Sequence, residues 1–175
     1  MESTLVILAP DAEGLVQSFR DRYDPAAKAG MPAHITLLYP FKSREEIDGL
    51  VLDTLSHCFS GFQPFKFSLT KINRFPGETL YLVPEPEDPF RELTLTIWRC
   101  SPETPPYRGR YLTVVPHLTV ADHMGEPRLA EVAREFEEAS QGYLPIQTEA
   151  REVALMDSRS GRWEINTMFR LGQKA

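Results

Sequence analysis

The same four-residue pattern occurs twice in this chain, as HITL at residues 34–37 and as HLTV at residues 117–120. His34 and His117 are 83 positions apart, and the glycines of two predicted hairpin turns, Gly77 and Gly161, are 84 positions apart. Each copy of the pattern is followed by an amphipathic segment with helical spacing and then by a hairpin pattern. This nearly constant spacing predicts an internally duplicated fold, with repeats at roughly 1–84 and 79–172.

Strand and helix patterns alternate between these landmarks. The apolar run Leu5–Ala9, ended by Pro10, predicts a buried strand. Ser43 followed by Glu46 forms a capping box and predicts the start of a helix. The inner face of that helix is predicted to carry Ile47, Leu50, Val51, Leu55 and Cys58. The predicted order is β-α-β-α-β-β-α-β-α-β-β. It favours one α+β domain over residues 1–175, bilobal, with two antiparallel-rich β-sheets flanked by helices around a central groove.

Composition excludes several classes of protein. The 175 residues include 25 acidic and 19 basic side chains, a net charge of −6, which argues against binding to long duplex nucleic acid. A small nucleotide or an RNA end needs only a few local cations. No segment reaches the roughly 18 apolar residues of a membrane span, and the N-terminus lacks a signal-peptide pattern, so we expect a cytoplasmic protein. We also expect a monomer. Cys58 and Cys100 have no metal-site spacing and are predicted to be free thiols.

The repeated pattern places a histidine and a threonine on one face of a strand, because side chains alternate between faces. If the repeats are related by a two-fold axis, His34 and His117 approach each other together with Thr36 and Thr119. A histidine pKa near 6.5 allows one imidazole to accept a proton and the other to donate one near neutral pH. Threonine hydroxyls can bind phosphate oxygens. This set is suited to displacement at phosphorus and requires no metal or cofactor.

Other interpretations of the same residues remain open. A single copy of the pattern is a weak signal, since a core histidine followed by a β-favouring threonine would produce it. A metal-binding module could use His34, His117 and His123 with Asp122, but it leaves both threonines unexplained. A catalytically inactive nucleotide sensor would preserve the whole site. Turnover and chelator sensitivity distinguish these alternatives.

With its two HxTx motifs in a duplicated α/β chain, the sequence resembles the 2H phosphoesterase superfamily, nearest to bacterial 2′-5′ RNA ligase-like proteins and cyclic phosphodiesterases. The resemblance implies metal-independent action on 2′,3′-cyclic phosphates or 2′-5′ phosphodiesters of RNA ends or small nucleotides. It implies that His34 and His117 are catalytic and that Thr36 and Thr119 bind phosphate. It also implies that His117 is the base and His34 the acid, although near-symmetry allows the roles to be reversed.

Substrate contacts are less clear from the sequence. Members resembling RNA ligases often have a basic residue after the second motif, where this chain has Ala121-Asp122-His123. Aromatic and basic side chains that could contact a base or a phosphate are Tyr39, Phe41, Tyr107, Arg108 and Arg110. The first two could instead fill the rim of the core, and the other three could belong to a solvated loop. The choice of substrate therefore stays open.

Overall fold

Strands and helices alternate along the chain, and the computed structural model describes them within residues 2–111, 113–159 and 161–173. The strands are β1 (Ser3–Leu8), β2 (His34–Leu38), β3 (Phe65–Phe75), β4 (Thr79–Glu85), β5 (Leu118–Ala121), β6 (Ile146–Ala150), β7 (Glu152–Arg159) and β8 (Arg162–Arg170). The helices are α1 (Glu13–Tyr23), α2 (Pro25–Lys28), α3 (Gly49–Ser60), α4 (Asp88–Cys100) and α5 (Glu126–Ala139). The α+β fold class is confirmed.

The eight strands form one sheet in the order β6-β3-β4-β5-β2-β1-β7-β8, with every neighbouring pair antiparallel. Two separate sheets were predicted. Instead, the halves β6-β3-β4-β5 and β2-β1-β7-β8 are joined through the register pair Ile35 and Leu118. Pairing β2 with β5 satisfies backbone groups that two unpaired edges would leave open. The two motif strands are therefore direct neighbours at the centre of the sheet.

The two predicted repeats exchange strands within the sheet. The strand after α3 is β3, which pairs with β4, and the first strand of the last hairpin, β7, pairs with β1. Each half-sheet therefore contains strands from both predicted repeats. The repeat boundaries given above stay a prediction.

The main hydrophobic core lies on one face of the sheet. Ile35 and Leu37 of β2 and Leu118 and Val120 of β5 are at most 1% exposed and belong to this core. Side chains of α1, α3, α4 and α5 complete the same cluster. Because alternate residues of a strand face opposite sides, the histidines and threonines of both motifs lie on the other face. Because the helices cover one face of the sheet, the side chains that can contact a substrate lie on the other face.

Two local predictions need correction. The capping box at Ser43 and Glu46 exists, but it begins a 3-10 turn, Arg44–Glu46. Helix α3 begins later, where the Asp48 carboxylate accepts a hydrogen bond from the Val51 N–H at 2.9 Å. Leu50, predicted to face inward, is 75% exposed because it lies in the first turn of the delayed helix. Strand β6 was missed, since it is a five-residue edge strand between Pro145 and Arg151.

The prediction of free thiols is wrong. Cys58 and Cys100 form a disulfide bond with an S–S distance of 1.96 Å, joining α3 to α4. The two cysteines are 42 residues apart in sequence, so only the packing of these helices brings them together. In the last hairpin, predicted about residues 160–161, β7 and β8 pair as expected, and Ser160 itself lies outside the described residues. None of the described helices is long and apolar enough to cross a lipid bilayer.

Candidate active site

The register of β2 and β5 brings the two motifs together. Ile35 lies opposite Leu118, so His34 falls opposite Thr119 and Thr36 opposite His117. Side chains opposite each other in antiparallel strands have Cβ atoms about 4.5–5.5 Å apart, and diagonal neighbours are about 7–8 Å apart. The two imidazoles are diagonal neighbours. All four side chains lie on the face away from the main core and are half-buried.

Both histidines are oriented in the same way. The Nδ1 of His34 is 2.8 Å from the carbonyl oxygen of Pro32, and the Nδ1 of His117 is 2.7 Å from that of Val115. A carbonyl only accepts, so each Nδ1 carries the hydrogen and donates it. In a neutral ring, Nε2 then holds the free lone pair. The same backbone contact, two residues upstream, therefore leaves each Nε2 able to exchange a proton with a ligand.

Burial disfavours the protonated form of both imidazole rings and so lowers the pKa of each. It lowers the pKa of His34 to about 4; the Pro32 carbonyl opposes this shift, and the positive charges of Arg20 and His117 reinforce it. Burial also lowers the pKa of His117, but the Val115 carbonyl and the Asp122 carboxylate oppose it. Both pKa values lie below the usual 6.5, so the two histidines are neutral at pH 7.

The lowered pKa of His34 predicts a loss of stability in acid. The unfolded chain binds this proton below about pH 6.5, whereas the folded chain binds it only near pH 4. The free energy of unfolding should therefore fall by up to about 3 kcal/mol as the pH drops through this window. Urea unfolding at pH 7 and pH 4.5 measures this loss. It should be smaller in His34→Asn, which keeps a donor for Pro32, than in the natural chain.

His57→Asn is the matched control for this measurement. His57 lies on α3 and is exposed, so removing it should leave the acid-induced loss unchanged. An equal loss in His34→Asn and in the unsubstituted protein would show that His34 does not couple folding to pH.

Two aromatic residues that the sequence did not single out lie against His117. The ring centroid of Phe75 is 5.2 Å away at an interplanar angle of 89°, and that of Tyr81 is 5.3 Å away. Both come from β3 and β4, which follow the first motif in sequence but pair beside the second. The alternation of side chains along β4 predicts that Tyr81 lies on one of its two faces. Only the register between β4 and β5 shows that this is the face that carries His117.

Three of the predicted substrate-contact residues meet at the end of β2. The Tyr107 N–H donates to the carbonyl of Tyr39 at 2.7 Å. The Tyr39 hydroxyl donates to the Glu2 carboxylate, and Arg108 pairs with the same carboxylate at 3.1 Å. Tyr39 also contacts Trp163 edge to face, with centroids 6.4 Å apart. The loop before the second motif is thereby attached beside the first motif.

The other two predicted contact residues are placed differently. Phe41 is 6% exposed and belongs to the main core, so it cannot serve as a platform for a base, and that prediction is corrected. The Tyr39-Pro40 segment ends β2. The side chain of Phe41 then packs into the main core, and its N–H donates to the Ser3 carbonyl at 2.8 Å. Arg110 is exposed, and its role stays a prediction.

The ligand set of a metal-binding module does not assemble. His123 is exposed, and its Nδ1 lies 2.8 Å from the Asp122 carboxylate. That carboxylate also accepts the Thr79 hydroxyl at 2.6 Å. Within the described ranges, no three His, Cys, Asp or Glu side chains cluster closely enough to hold a metal ion. The geometry therefore favours the use of the motif residues without His123.

Comparisons with known proteins identify the family of the chain. Residues 8–162 match the family model described as the 2′-5′ RNA ligase superfamily. Two similar proteins, both named as candidate phosphoesterases, come from Bacillus licheniformis and Bacillus cereus. The first is 26% identical over 95% of this chain and 97% of its own length. The second is 29% identical over 88% of this chain and 87% of its own length.

Solved structures share the fold. TT0787 of Thermus thermophilus aligns over 100% of both chains with a TM-score of 0.65 and 15% identity. E. coli LigT in complex with 3′-AMP aligns over 98% of both chains with a TM-score of 0.62 and 16% identity. At this identity the likeness concerns the fold. Because the family model spans most of the sequence, including both paired HxTx strands, the chain belongs to the 2′-5′ RNA ligase superfamily of 2H phosphoesterases.

Proposed function

We propose that this protein hydrolyses small phosphodiesters, above all by opening a 2′,3′-cyclic phosphate to a 2′-phosphate without a metal. The observation that carries the proposal is the paired geometry of His34 and His117. Each Nδ1 is held by a backbone carbonyl, and each Nε2, on the same face of two neighbouring strands, has no hydrogen-bond partner within the described part of the chain. Two imidazoles on either side of one phosphorus supply a base and an acid at once.

The proposed reaction moves two protons. One Nε2 takes a proton from water as the water oxygen bonds to phosphorus. The other Nε2, in its protonated form, donates to the 3′-oxygen as the P–O3′ bond breaks, which leaves a 2′-phosphate. A bound phosphate anion favours the protonated form of a nearby imidazole. Because the Asp122 carboxylate favours the charged form of His117, whereas the positive charges of Arg20 and His117 disfavour that of His34, we assign His34 as base and His117 as acid. This reverses the order that the resemblance implies.

The two threonines complete the proposed phosphate site. Thr36 lies opposite His117 and Thr119 opposite His34, so each hydroxyl can donate to a non-bridging oxygen between the rings. A hydrogen bond to a charged group contributes about 1.5–3 kcal/mol, which is about a 10- to 100-fold effect on rate.

Thr36→Val and Thr119→Val should therefore each lower kcat/KM by about 10- to 100-fold, a milder loss than removal of a histidine. Valine favours a strand as threonine does, so stability should change little. Steady-state kinetics on a 2′,3′-cyclic mononucleotide measures the effect. Thr148→Val in edge strand β6 is the control and should retain full activity. Unchanged activity in both motif variants would remove the hydroxyls from phosphate binding.

The proposed substrates are small nucleotides or RNA ends. E. coli LigT, which shares the fold, has been solved with 3′-AMP and with NADP+. In this chain, Tyr39, Tyr107, Arg108 and Arg110 are the proposed contacts to the rest of the nucleotide, since the first three meet beside the first motif. We further propose that the protein acts as a monomer in the cytoplasm.

A substrate screen tests the proposal. Purified protein with EDTA is incubated with the four 2′,3′-cyclic mononucleotides, a 2′-5′ dinucleotide and ADP-ribose cyclic phosphate, and the products are separated by chromatography. Release of a 2′-phosphate from a cyclic nucleotide is the expected result. Binding without turnover would instead support the inactive sensor. Activity that appears only with added metal would overturn the metal-independent mechanism.

A further inference from the structure

The two halves of the site differ in what lies beside each histidine. In β1, Leu8 lies opposite His34 and Val6 lies opposite Thr36. In β4, Tyr81 lies opposite Thr119, the threonine of the second motif. Val6 and Tyr81 thus occupy the same register position in the two halves. Only the half with the second motif carries a hydroxyl there.

Tyr81 is firmly held but has a free polar end. Its side chain is 4% exposed, and its ring lies 4.6 Å from that of Phe75 and 5.3 Å from that of His117. The hydroxyls of Tyr39 and Tyr23 bond to Glu2 and Arg128, whereas the hydroxyl of Tyr81 has no protein partner among the residues that the structure describes. Because this hydroxyl is also not among the fully buried polar atoms that lack a partner, it reaches solvent and is accessible to a ligand.

The position of Tyr81 indicates what that ligand group is. Its strand position is opposite Thr119, so the two Cβ atoms are separated by about 4.5–5.5 Å on the face that carries the histidines. Burial, together with the Glu87 carboxylate, raises the pKa of Tyr81, so the phenol keeps its proton and can donate it in a hydrogen bond. An anionic oxygen is the strongest acceptor for such a donor.

We propose that the Tyr81 hydroxyl donates a hydrogen bond to the phosphate between His34 and His117, as a third donor beside the two threonines. The inference rests on the proposed function and adds a residue outside both HxTx motifs. Since Val6 takes the equivalent place in the other half, the added donor acts only on the His117 side. It makes a nearly symmetric site bind phosphate asymmetrically, with more stabilisation of negative charge beside His117.

Tyr81→Phe tests the proposal, because it removes one oxygen and keeps the ring against His117. We expect kcat/KM on a 2′,3′-cyclic mononucleotide to fall about 10- to 100-fold. Tyr143→Phe, at a 59% exposed position, is the matched control and should be unchanged. Imidazole NMR signals of His117 in the free protein should stay in place, which separates loss of the hydroxyl from a displaced histidine. Full activity in Tyr81→Phe would overturn the role of Tyr81 and leave the phosphodiesterase proposal intact.

A second measurement separates this inference from the proposed function. If the unsubstituted protein hydrolyses none of the substrates, inorganic phosphate is titrated while the His34 and His117 signals are followed by NMR. Weaker phosphate binding by Tyr81→Phe, by a factor of about 10 or more, would still support the third donor. Equal binding by both proteins, or no binding by the unsubstituted chain, would contradict it.

Discussion

Replacing His34 or His117 by alanine should lower kcat/KM by about a hundred- to ten-thousand-fold, because each substitution removes one general acid or base. The fold should survive, since both side chains are half-buried on the face opposite the main core. The expected loss is the largest for any single side chain of the site. Steady-state kinetics with circular dichroism on the same samples measures both parts of the prediction.

A change of leaving group separates the two histidines. A 4-nitrophenyl phosphodiester releases an oxygen that needs little protonation, so a variant lacking the acid should retain much of its activity on this ester. With His117 as acid, His117→Ala should be rescued and His34→Ala should not. The opposite pattern would restore the order implied by the family. His57→Ala, an exposed histidine on α3, is the control and should behave as the unsubstituted protein. Near-full activity in either motif variant on the natural substrate would remove that histidine from the mechanism.

Asp24→Asn should lower the free energy of unfolding by about 3–5 kcal/mol, because it leaves a buried arginine without its counter-charge. The side chains of Arg20 and Asp24 are both 3% exposed, and the guanidinium contacts one carboxylate oxygen at 2.9 and 3.0 Å. The other oxygen accepts the Ala26 N–H at 2.8 Å and caps α2. Arg20 also donates to the Met31 carbonyl at 3.0 Å, so the pair holds the segment that leads into β2.

The surface pair Arg91 and Glu87 provides the matched control. It has the same four-residue spacing, at the start of α4, but its side chains are 43% and 29% exposed. Glu87→Gln should therefore change the free energy of unfolding by no more than about 0.5 kcal/mol. Urea unfolding at pH 7 compares the two variants. Arg20→Met combined with Asp24→Asn should recover much of the loss, because no charge then stays buried. A cost below about 1 kcal/mol for Asp24→Asn would contradict a buried, essential pair.

The sequence by itself determined the four motif residues of the proposed site, His34, Thr36, His117 and Thr119. Two HxTx copies with constant spacing predicted a duplicated α+β fold, and strand alternation placed each histidine on the same face as its threonine. Strand alternation depends only on residues within a few positions of one another, and a repeat is visible in the linear order of the chain, which is why the sequence is enough to predict both.

Tertiary structure decided everything that joins distant segments. Pairing of β2 with β5 made one sheet of two predicted ones, and packing of α3 on α4 joined Cys58 to Cys100. Tyr81 reached His117 through the register of β4 and β5, across 36 positions of sequence. Such contacts arise because burying the apolar faces of several elements together fixes their register and approach. The residue pattern of one strand does not specify which strands pair with it. These contacts are therefore determined only by the tertiary structure of the sheet and its helices.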